Sequence, residues 1–439
     1  MPQIPELPGD LVPRHSEQDR WVKSEVSKIC GVMLDRFPGS QPISFGVRDL
    51  DKLETQDYWV CEKSDGIRVL LFVHTIIPTN AQTVYLIDRH NSYRLLSGLV
   101  FPHHAVPSDL LRNTIVDGEL VIDVDPRTRK ATLRLLAFDC LVVDNENVMS
   151  KPLEKRYGRL KDWFYRPYAQ MMRDYPRMAD TQPFDIKIKE VRPSYHVEKV
   201  FTDDIPALQH GNDGLIYTCS TTPYVTATDN NIIKWKPPSE NSIDFKLVLR
   251  FPPSRSQTSV PDYQAKPFFA LHVYCGEERG VPKYEPYDEM YVKDEEWEQM
   301  KTSGEQIDDR IVEVHWDPAD SRWRMMRFRD DKPNGNYRNV VDNIIQSIAE
   351  GVEKDTLLAR SNVIRDAWKT RHGQPIGPPP APSNARPPPP TRMDGAPSRA
   401  PPGHSERPRP LDAELRYGPL ASSRWSKVAG PSVFAGLNR

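Results

Sequence analysis

The chain is 439 residues long, 38% hydrophobic and 27% charged, with a net charge of −2. That length exceeds one typical domain and leaves room for two buried cores, and the composition excludes fibrous and wholly disordered classes. The charge is uneven: from Gly373 onward eight Arg and one Lys face four acids, or +5, which leaves −7 on residues 1–372. A body that is acidic overall excludes a general basic nucleic-acid binder, so any polyanion it handles must meet a local basic cleft.

In chain order, residues 1–13 are Pro-rich and read as extended. Trp21, Val22, Val26, Ile29 and Met33 recur at helical spacing, which predicts an amphipathic helix over Glu17–Leu34. Phe37–Pro42 reads as a loop from its Pro and Gly. Apolar runs then predict strands at Tyr58–Cys61, Val69–Val73, Val84–Ile87, Thr114–Val116, Leu120–Ile122, Leu133–Phe138, Leu215–Thr218 and Ile232–Trp235. Most are apolar on both phases, as in sheets covered on both faces. Lys151–Arg173 reads as helical. A second strand-rich block holds Phe245–Leu249, Phe269–Tyr274, Ile311–Trp316 and Arg324–Phe328, followed by helical patterns at Asn339–Val352 and Thr356–Thr370.

From Gly373 to Arg439, 16 of the chain's 43 prolines fall in 67 residues, too few apolar groups remaining to offset ordering; the segment reads as disordered and partly polyproline II. The five cysteines form no C-x-x-C pair, which reads against zinc and for a reducing compartment. The N-terminus has no apolar leader and no run of about 20 apolar residues occurs, so the chain reads as soluble, intracellular and not membrane-bound.

One segment carries chemistry. Lys63-Ser64-Asp65-Gly66-Ile67-Arg68 lies between two strand patterns, where a tight turn would present the lysine amine to a cleft. A nucleophilic lysine must be neutral, and at its ordinary pKa only about one in a few thousand is neutral at pH 7. Burial or a nearby cation would have to lower that value. Alone, the motif also describes a surface hairpin with a solvated lysine.

Five further segments add weight. Asp117-Gly118-Glu119 interrupts an apolar strand pair with carboxylates able to reach a ribose or a metal. Phe138-Asp139 puts an aromatic face and a carboxylate at a strand edge. Asp213-Gly214 precedes another strand. Lys234 and Lys236 fall on one face of a strand, since side chains alternate. Trp323–Lys332 is a cation-rich strand end finishing in Arg329-x-Asp331-Lys332.

In this order, together with Gly39-Ser40-Gln41-Pro42 and Arg89, these segments resemble the guanylyltransferase (alpha) subunit of the mRNA-capping enzyme, of the fungal separate-subunit type. That family belongs to the covalent nucleotidyltransferases, with the DNA and RNA ligases. The resemblance runs from about Pro38 to Asn336, and the Arg-x-Asp-Lys ending is similar to capping enzymes rather than ligases.

The resemblance implies an α+β fold: a nucleotidyltransferase domain with antiparallel sheets flanking a cleft, ATP-grasp-like or DNA-ligase-like, plus an OB-fold β-barrel. Together with the composition of the tail, it divides the chain into residues 1–240, 241–372 with C-terminal helices, and the disordered Pro-rich tail 373–439. It implies that Lys63 attacks the α-phosphorus of GTP, keeps GMP as a phosphoramidate and passes it to the 5′-diphosphate end of RNA to form the GpppN cap.

Residue by residue, it implies that Arg68 contacts the ribose, Glu119 the ribose or metal site, and that Phe138 stacks on guanine beside Asp139. Arg89 would lie near the nucleotide, Asp213 would help hold Mg²⁺ or Mn²⁺, and Lys234 and Lys236 would neutralise phosphates. Arg329, Asp331 and Lys332 would engage the β- and γ-phosphates. It further implies an RNA 5′-triphosphatase (beta) subunit and the phosphorylated C-terminal repeats of RNA polymerase II as partners, and a nuclear location. An ATP-dependent polynucleotide ligase and a non-catalytic capping scaffold are the rival readings. No residue in the sequence reads the guanine edge, so GTP over ATP rests on the resemblance.

Overall fold

In a computed structural model, residues 5–375 are described apart from 33–35, 77–78, 80, 255–260 and 318, together with two-residue strands at 421–422, 433–434 and 437–438. The rest of the Pro-rich tail lies outside the described residues. The chain divides into two units.

The first unit opens with β1 (Asp10–Leu11) and α1 (Glu17–Cys30). The Ser16 side chain accepts the Asp19 N–H to start the helix, and Gly31 in the left-handed region ends it, four residues short of the prediction. Val22, Val26 and Cys30 form its buried stripe, whereas Trp21 is 40% exposed. Then come β2 (Ser40–Ser44), α2 (Asp49–Thr55), β3 (Tyr58–Ser64), β4 (Ile67–Ile76), β5 (Ala81–Ile87), β6 (Tyr93–Leu96), β7 (Thr114–Val124), β8 (Ala131–Val143) and β9 (Glu146–Asn147). α3 (Leu153–Arg159) continues through a widened turn at Leu160–Tyr165 into α4 (Arg166–Asp174), and β10 (Asp185–Ile188), β11 (Arg192–Pro193), α5 (Val197–Lys199), β12 (Asn212–Cys219) and β13 (Ala227–Trp235) complete the run.

These strands make two sheets. One is eight-stranded, in the order β1-β6-β5-β4-β7-β8-β10 with β9 on β8; the other is five-stranded, β11-β3-β12-β13-β2. The apolar-on-both-phases pattern of β4 has a direct cause. Val69, Leu71 and Val73 pack with Leu153, Leu160 and Phe164 of the α3–α4 segment on one face, while Leu70 and Phe72 pack with Val22 and Val26 of α1 on the other. Each such fully buried side chain contributes about 1.5–3 kcal/mol.

Several predicted boundaries change. Ser40–Pro42, the end of the segment read as a loop, belongs to β2, which pairs in parallel with β13. Asp117-Gly118-Glu119 does not interrupt a strand pair; β7 runs straight through it, because Gly118 lets the backbone approach Leu136, where a Cβ would lie 2.9 Å from the carbonyl oxygen. Phe138 and Asp139 sit inside β8 rather than at an edge.

The second unit covers Pro237–Glu353: β14 (Ser242–Phe251), β15 (Phe268–Glu278), β16 (Val281–Glu289), α6 (Asp294–Ser303), β17 (Ile311–Asp317), β18 (Arg322–Phe328) and α7 (Arg338–Ala349). The strand order is β16-β15-β14-β17-β18, and the outer strands meet where Met290 bridges Trp323 in parallel and the Tyr291 N–H donates to the Trp323 carbonyl at 2.9 Å. First strand paired with second and fourth, third meeting fifth, and a helix between third and fourth is the five-stranded OB-type barrel. Phe245, Leu247, Val314, Trp316 and Trp323 fill it. Sequence reading missed β16, whose exposed half lacks an apolar run, and α6.

The helix α8 (Lys354–Arg371) was expected with the barrel but groups with the first unit. Leu357 and Ile364 bury their side chains, Arg360 pairs with Glu54 at 2.6 Å, and Arg371 pairs with Asp57 at 2.8 Å. Among the described residues no helix is long and apolar enough to cross a membrane.

Candidate active site

Between the two sheets of the first unit lies a pocket of about 130 Å³. One wall is Trp59, Cys61 and Lys63 of β3 with Ile216 and Thr218 of β12 and Ile232 of β13; the other is Arg68 of β4, Asp117 and Glu119 of β7, and Phe138 of β8. Leu153 and Tyr157 of α3, with Lys189 and Val191, also line it. A second cavity, lined by Asp65, Asp88, Arg89 and His90, shares Lys63, Arg68, Arg89 and Glu119 with the first. The lysine therefore stands where an apolar recess meets a charged outer space.

Lys63 is a strand residue and not a turn residue. Along β3 burial alternates, with Tyr58, Val60, Glu62 and Ser64 buried and Trp59, Cys61 and Lys63 on the pocket side. Its Nζ donates to Asp213 Oδ1 at 2.5 Å, and Lys236 Nζ lies 2.5 Å from Asp213 Oδ2. Asp213 reaches that position through a bulge: Asn212 opposes Ser64 but Leu215 opposes Glu62, so three steps of β12 span two of β3. Gly214 makes the bulge possible with φ +134°, at a place where a Cβ would collide with the Trp235 carbonyl.

A second bulge turns Phe138 to the pocket. Asp117 opposes Asp139 and Gly118 opposes Ala137, which leaves Phe138 as the extra residue of β8. The Arg68 guanidinium lies 5.5 Å from its ring centroid. Arg68 is buried and held from two sides: it donates to Asp117 at 3.0 and 2.6 Å and to the Ser40 carbonyl, while the Tyr224 hydroxyl donates to Asp117 at 2.6 Å.

The electrostatics follow from burial against a concentration of cations. Burial would raise the Asp213 carboxyl, but hydrogen bonds from Lys236 and Lys63 hold it below the ordinary range. Burial raises Glu119 and wins over the opposing pull of Lys189, Lys63, Arg68 and Arg89. Lys234 is lowered by burial first and then by Lys63, Lys236 and Arg89. A local basic site exists despite the acidic body.

The structure thus brings Lys63, Arg68, Arg89, Glu119, Phe138 and Asp139 to one pocket, with Asp213 and Lys236 joined to Lys63 and Lys234 beside them. Asp139 does not face the pocket as a free carboxylate. It takes the Arg156 guanidinium in two bonds, 2.9 and 2.8 Å, both residues being buried, and so ties α3 to β8. Arg329, Asp331 and Lys332 belong to the second unit. There Arg329 pairs with Asp331 at 2.8 Å and with Asp244 at 3.2 Å, and Lys332 with Asp244 at 2.5 Å.

Sequence reading missed Lys189, whose side chain is 4% exposed and whose Nζ donates to Ser64 Oγ at 2.7 Å and lies 3.4 Å from Glu62. The only signal was alternation in Asp185–Lys189, which puts Lys187 and Lys189 on one phase without saying which is buried. It also missed Tyr224, Arg156 and His210. A separate His103–His104–Asp144 group has metal-like spacing. There His103 Nδ1 accepts the Ala105 and Val106 N–H groups, so Nε2 carries the proton and donates to Asp144 at 3.1 Å. That tautomer suits a hydrogen-bonded loop.

Comparison with known proteins gives a consistent result. The family model described as mRNA capping enzyme, catalytic domain, matches residues 5–238, and the mRNA capping enzyme C-terminal domain matches residues 240–358. The chain is similar to the mRNA-capping enzyme subunit alpha of Neurospora crassa, 40% identical over 80% of this chain and 90% of that one. It is likewise similar to the subunit of the same name from Schizosaccharomyces pombe (39%, covering 83% and 89%) and from Saccharomyces cerevisiae (34%, covering 94% and 96%).

Proposed function

The chain belongs to the mRNA-capping enzyme family, and from that premise we propose that its first unit is an mRNA guanylyltransferase that carries GMP on Lys63. The observation that supports this best is the position of Lys63 Nζ, at the junction of the apolar recess and the charged outer cavity and 2.5 Å from Asp213. A nucleotide bound base-inward sets its α-phosphorus at such a junction.

In this reading the purine lies against Phe138, with Ile216 and Ile232 in the facing wall. Lys189 supplies selection. An ammonium has three donors and no acceptor, and two are taken by Ser64 and Glu62. The third suits the carbonyl that guanine presents where adenine presents an amine. Arg68 and Glu119 face the ribose, Arg89 the nucleotide, and Lys234 and Lys236 the phosphates. Arg329, Asp331 and Lys332 act on the β- and γ-phosphates.

The neutral Lys63 amine forms the N–P bond, the α–β P–O bond breaks, pyrophosphate leaves with that electron pair, and one N–H proton passes to solvent. Asp213, held below the ordinary carboxyl range, is a poor proton acceptor and serves to fix Nζ. Transfer of a polyanionic group depends on such positioning and charge neutralisation more than on an acid–base pair. The donor set fits a hard divalent cation, since Asp213 and Glu119 offer carboxylate oxygens to complement phosphate oxygens. Bound there, Mg²⁺ or Mn²⁺ would supply positive charge to offset that of the phosphate oxygens.

The acceptor is the 5′-diphosphate end of RNA, which gives the GpppN cap. The relatives' designation as subunit alpha supports a partner subunit, an RNA 5′-triphosphatase (beta). Phosphorylated C-terminal repeats of RNA polymerase II and a nuclear site of action complete the reading. Incubation with α-labelled GTP or ATP tests it: GTP should label wild-type chain and not Lys63→Ala, and labelling by ATP alone would overturn it.

A further inference from the structure

Between the pocket and the neighbouring depression, both lined by Lys189, five side chains form one continuous chain of hydrogen bonds and ion pairs. Asp123 Oδ1 lies 2.6 Å from His210 Nδ1; His210 Nε2 lies 3.2 Å from Ser64 Oγ; Ser64 Oγ accepts from Lys189 Nζ at 2.7 Å; and Lys189 pairs with Glu62 at 3.4 Å. All are buried: His210 and Asp123 keep 6% and 7% of their side-chain exposure, and Ser64 is 1% exposed. Arg134 pairs with the other Asp123 oxygen.

The protons can be placed by elimination. An ammonium only donates, so Ser64 Oγ is the acceptor of Lys189 and its own hydroxyl hydrogen is free. A carboxylate 2.6 Å from His210 Nδ1 requires that nitrogen to carry the ring proton. Neutral His210 therefore has its lone pair on Nε2, where it accepts the Ser64 hydroxyl. Each partner is satisfied only in this state. A second proton on the ring would aim two cationic donors at one hydroxyl and displace the hydroxyl hydrogen from its acceptor.

We propose that His210 is a positioning residue for nucleotide binding, which as a neutral imidazole anchored on Asp123 orients Ser64 and through it fixes the Lys189 ammonium in the base pocket. The proposal rests on reading that pocket as the guanine site, and it extends that reading to a residue that touches no nucleotide. The surroundings agree. Burial, then Lys189, holds the imidazole below its ordinary value, with Arg134 acting the same way against Glu62 and Glu119. Asp203, Asp204, Lys187 and Glu190 line the outer depression that His210 also borders.

The role belongs to the binding step, so it is read as a split between half-saturating GTP and maximal rate in formation of the labelled lysyl adduct. His210→Ala should raise the half-saturating concentration about tenfold, the loss of one hydrogen bond to a charged group, with the maximal rate within about threefold. In a Ser64→Ala background the same substitution should add nothing, because the link is already cut. In wild type the half-saturating concentration should rise as pH falls from about 8 to about 5.5, and His210→Gln should flatten that rise. Should His210→Ala not fold, His210→Gln and Ser64→Ala carry the test alone. An unchanged half-saturating concentration in folded His210 variants, an additive effect on Ser64→Ala, or an acid-side rise persisting in His210→Gln overturns the proposal while leaving the guanylyltransferase reading intact. Absence of any adduct in wild type overturns both.

Discussion

Lys63 and Asp213 meet at 2.5 Å across two neighbouring strands, and Lys236 takes the other Asp213 oxygen at the same distance. They are 150 residues apart in sequence. The carboxylate thus holds Lys63, the proposed nucleophile, and Lys236, proposed to face the phosphates, in one geometry.

Asp213→Asn keeps the shape and removes the charge. Adduct formation with labelled GTP should fall on the order of 10²-fold, since positioning and electrostatics are lost together. The far-ultraviolet circular dichroism should not change.

Glu119 tests whether stability has been given up for function. Burial raises its carboxyl, so the folded state disfavours the anion. Between the ordinary value of 4.5 and the raised value the folded chain keeps a proton that the unfolded chain has released, so stability falls as pH rises through that window. Glu119→Gln should therefore melt higher than wild type at pH 7, with the gain vanishing below pH 4.5. Its adduct yield should drop about 10²-fold.

Gly214→Ala places a Cβ against the Trp235 backbone at a φ of +134°. The bulge that aims Asp213 must then reorganise. Chemical denaturation should show a loss of about 1–3 kcal/mol, and adduct formation should fall with it.

Two truncations test the grouping of α8. Ending the chain after residue 375 should leave adduct formation and melting unchanged. Ending it after Glu353 removes Leu357 and Ile364 from the first unit and should cost about 3–6 kcal/mol in its unfolding transition.

Arg329→Ala tests the second unit. Its partner Asp331 is 65% exposed, and that pair is worth about 0–1 kcal/mol, but Asp244 is 4% exposed and would keep only Lys332. The barrel should lose about 1–3 kcal/mol, while adduct formation should fall about 10²- to 10³-fold.

Much of the fold was legible. The stripe of Val22 and Val26, the double-sided apolar strands around Val69–Val73 and the aliphatic barrel strands follow from period alone. What failed has physical reasons. β16 is half exposed and carries no apolar run, so pairing with β15 creates it. α8 has a helical period but no signal for which core accepts Leu357 and Ile364. Asp117–Glu119 was read as a break because Asp and Gly usually are, whereas the strand absorbs them through cross-strand approach at Gly118.

Of the proposed site, the sequence by itself named Lys63 with Arg68, Glu119, Phe138, Asp213 and the Lys234 and Lys236 pair, which the structure brings together, and it determined the family they mark. Only the tertiary structure decided what each is held against. It turned Asp139 from a pocket carboxylate into the partner of Arg156, placed Lys189 at the pocket wall, and put His210 behind Ser64. Motif residues are legible because strand alternation and turn chemistry act within a few positions. Buried polar partners are not, because a charge taken out of water must be met by whichever distant side chain the sheet pairing brings within about 3 Å.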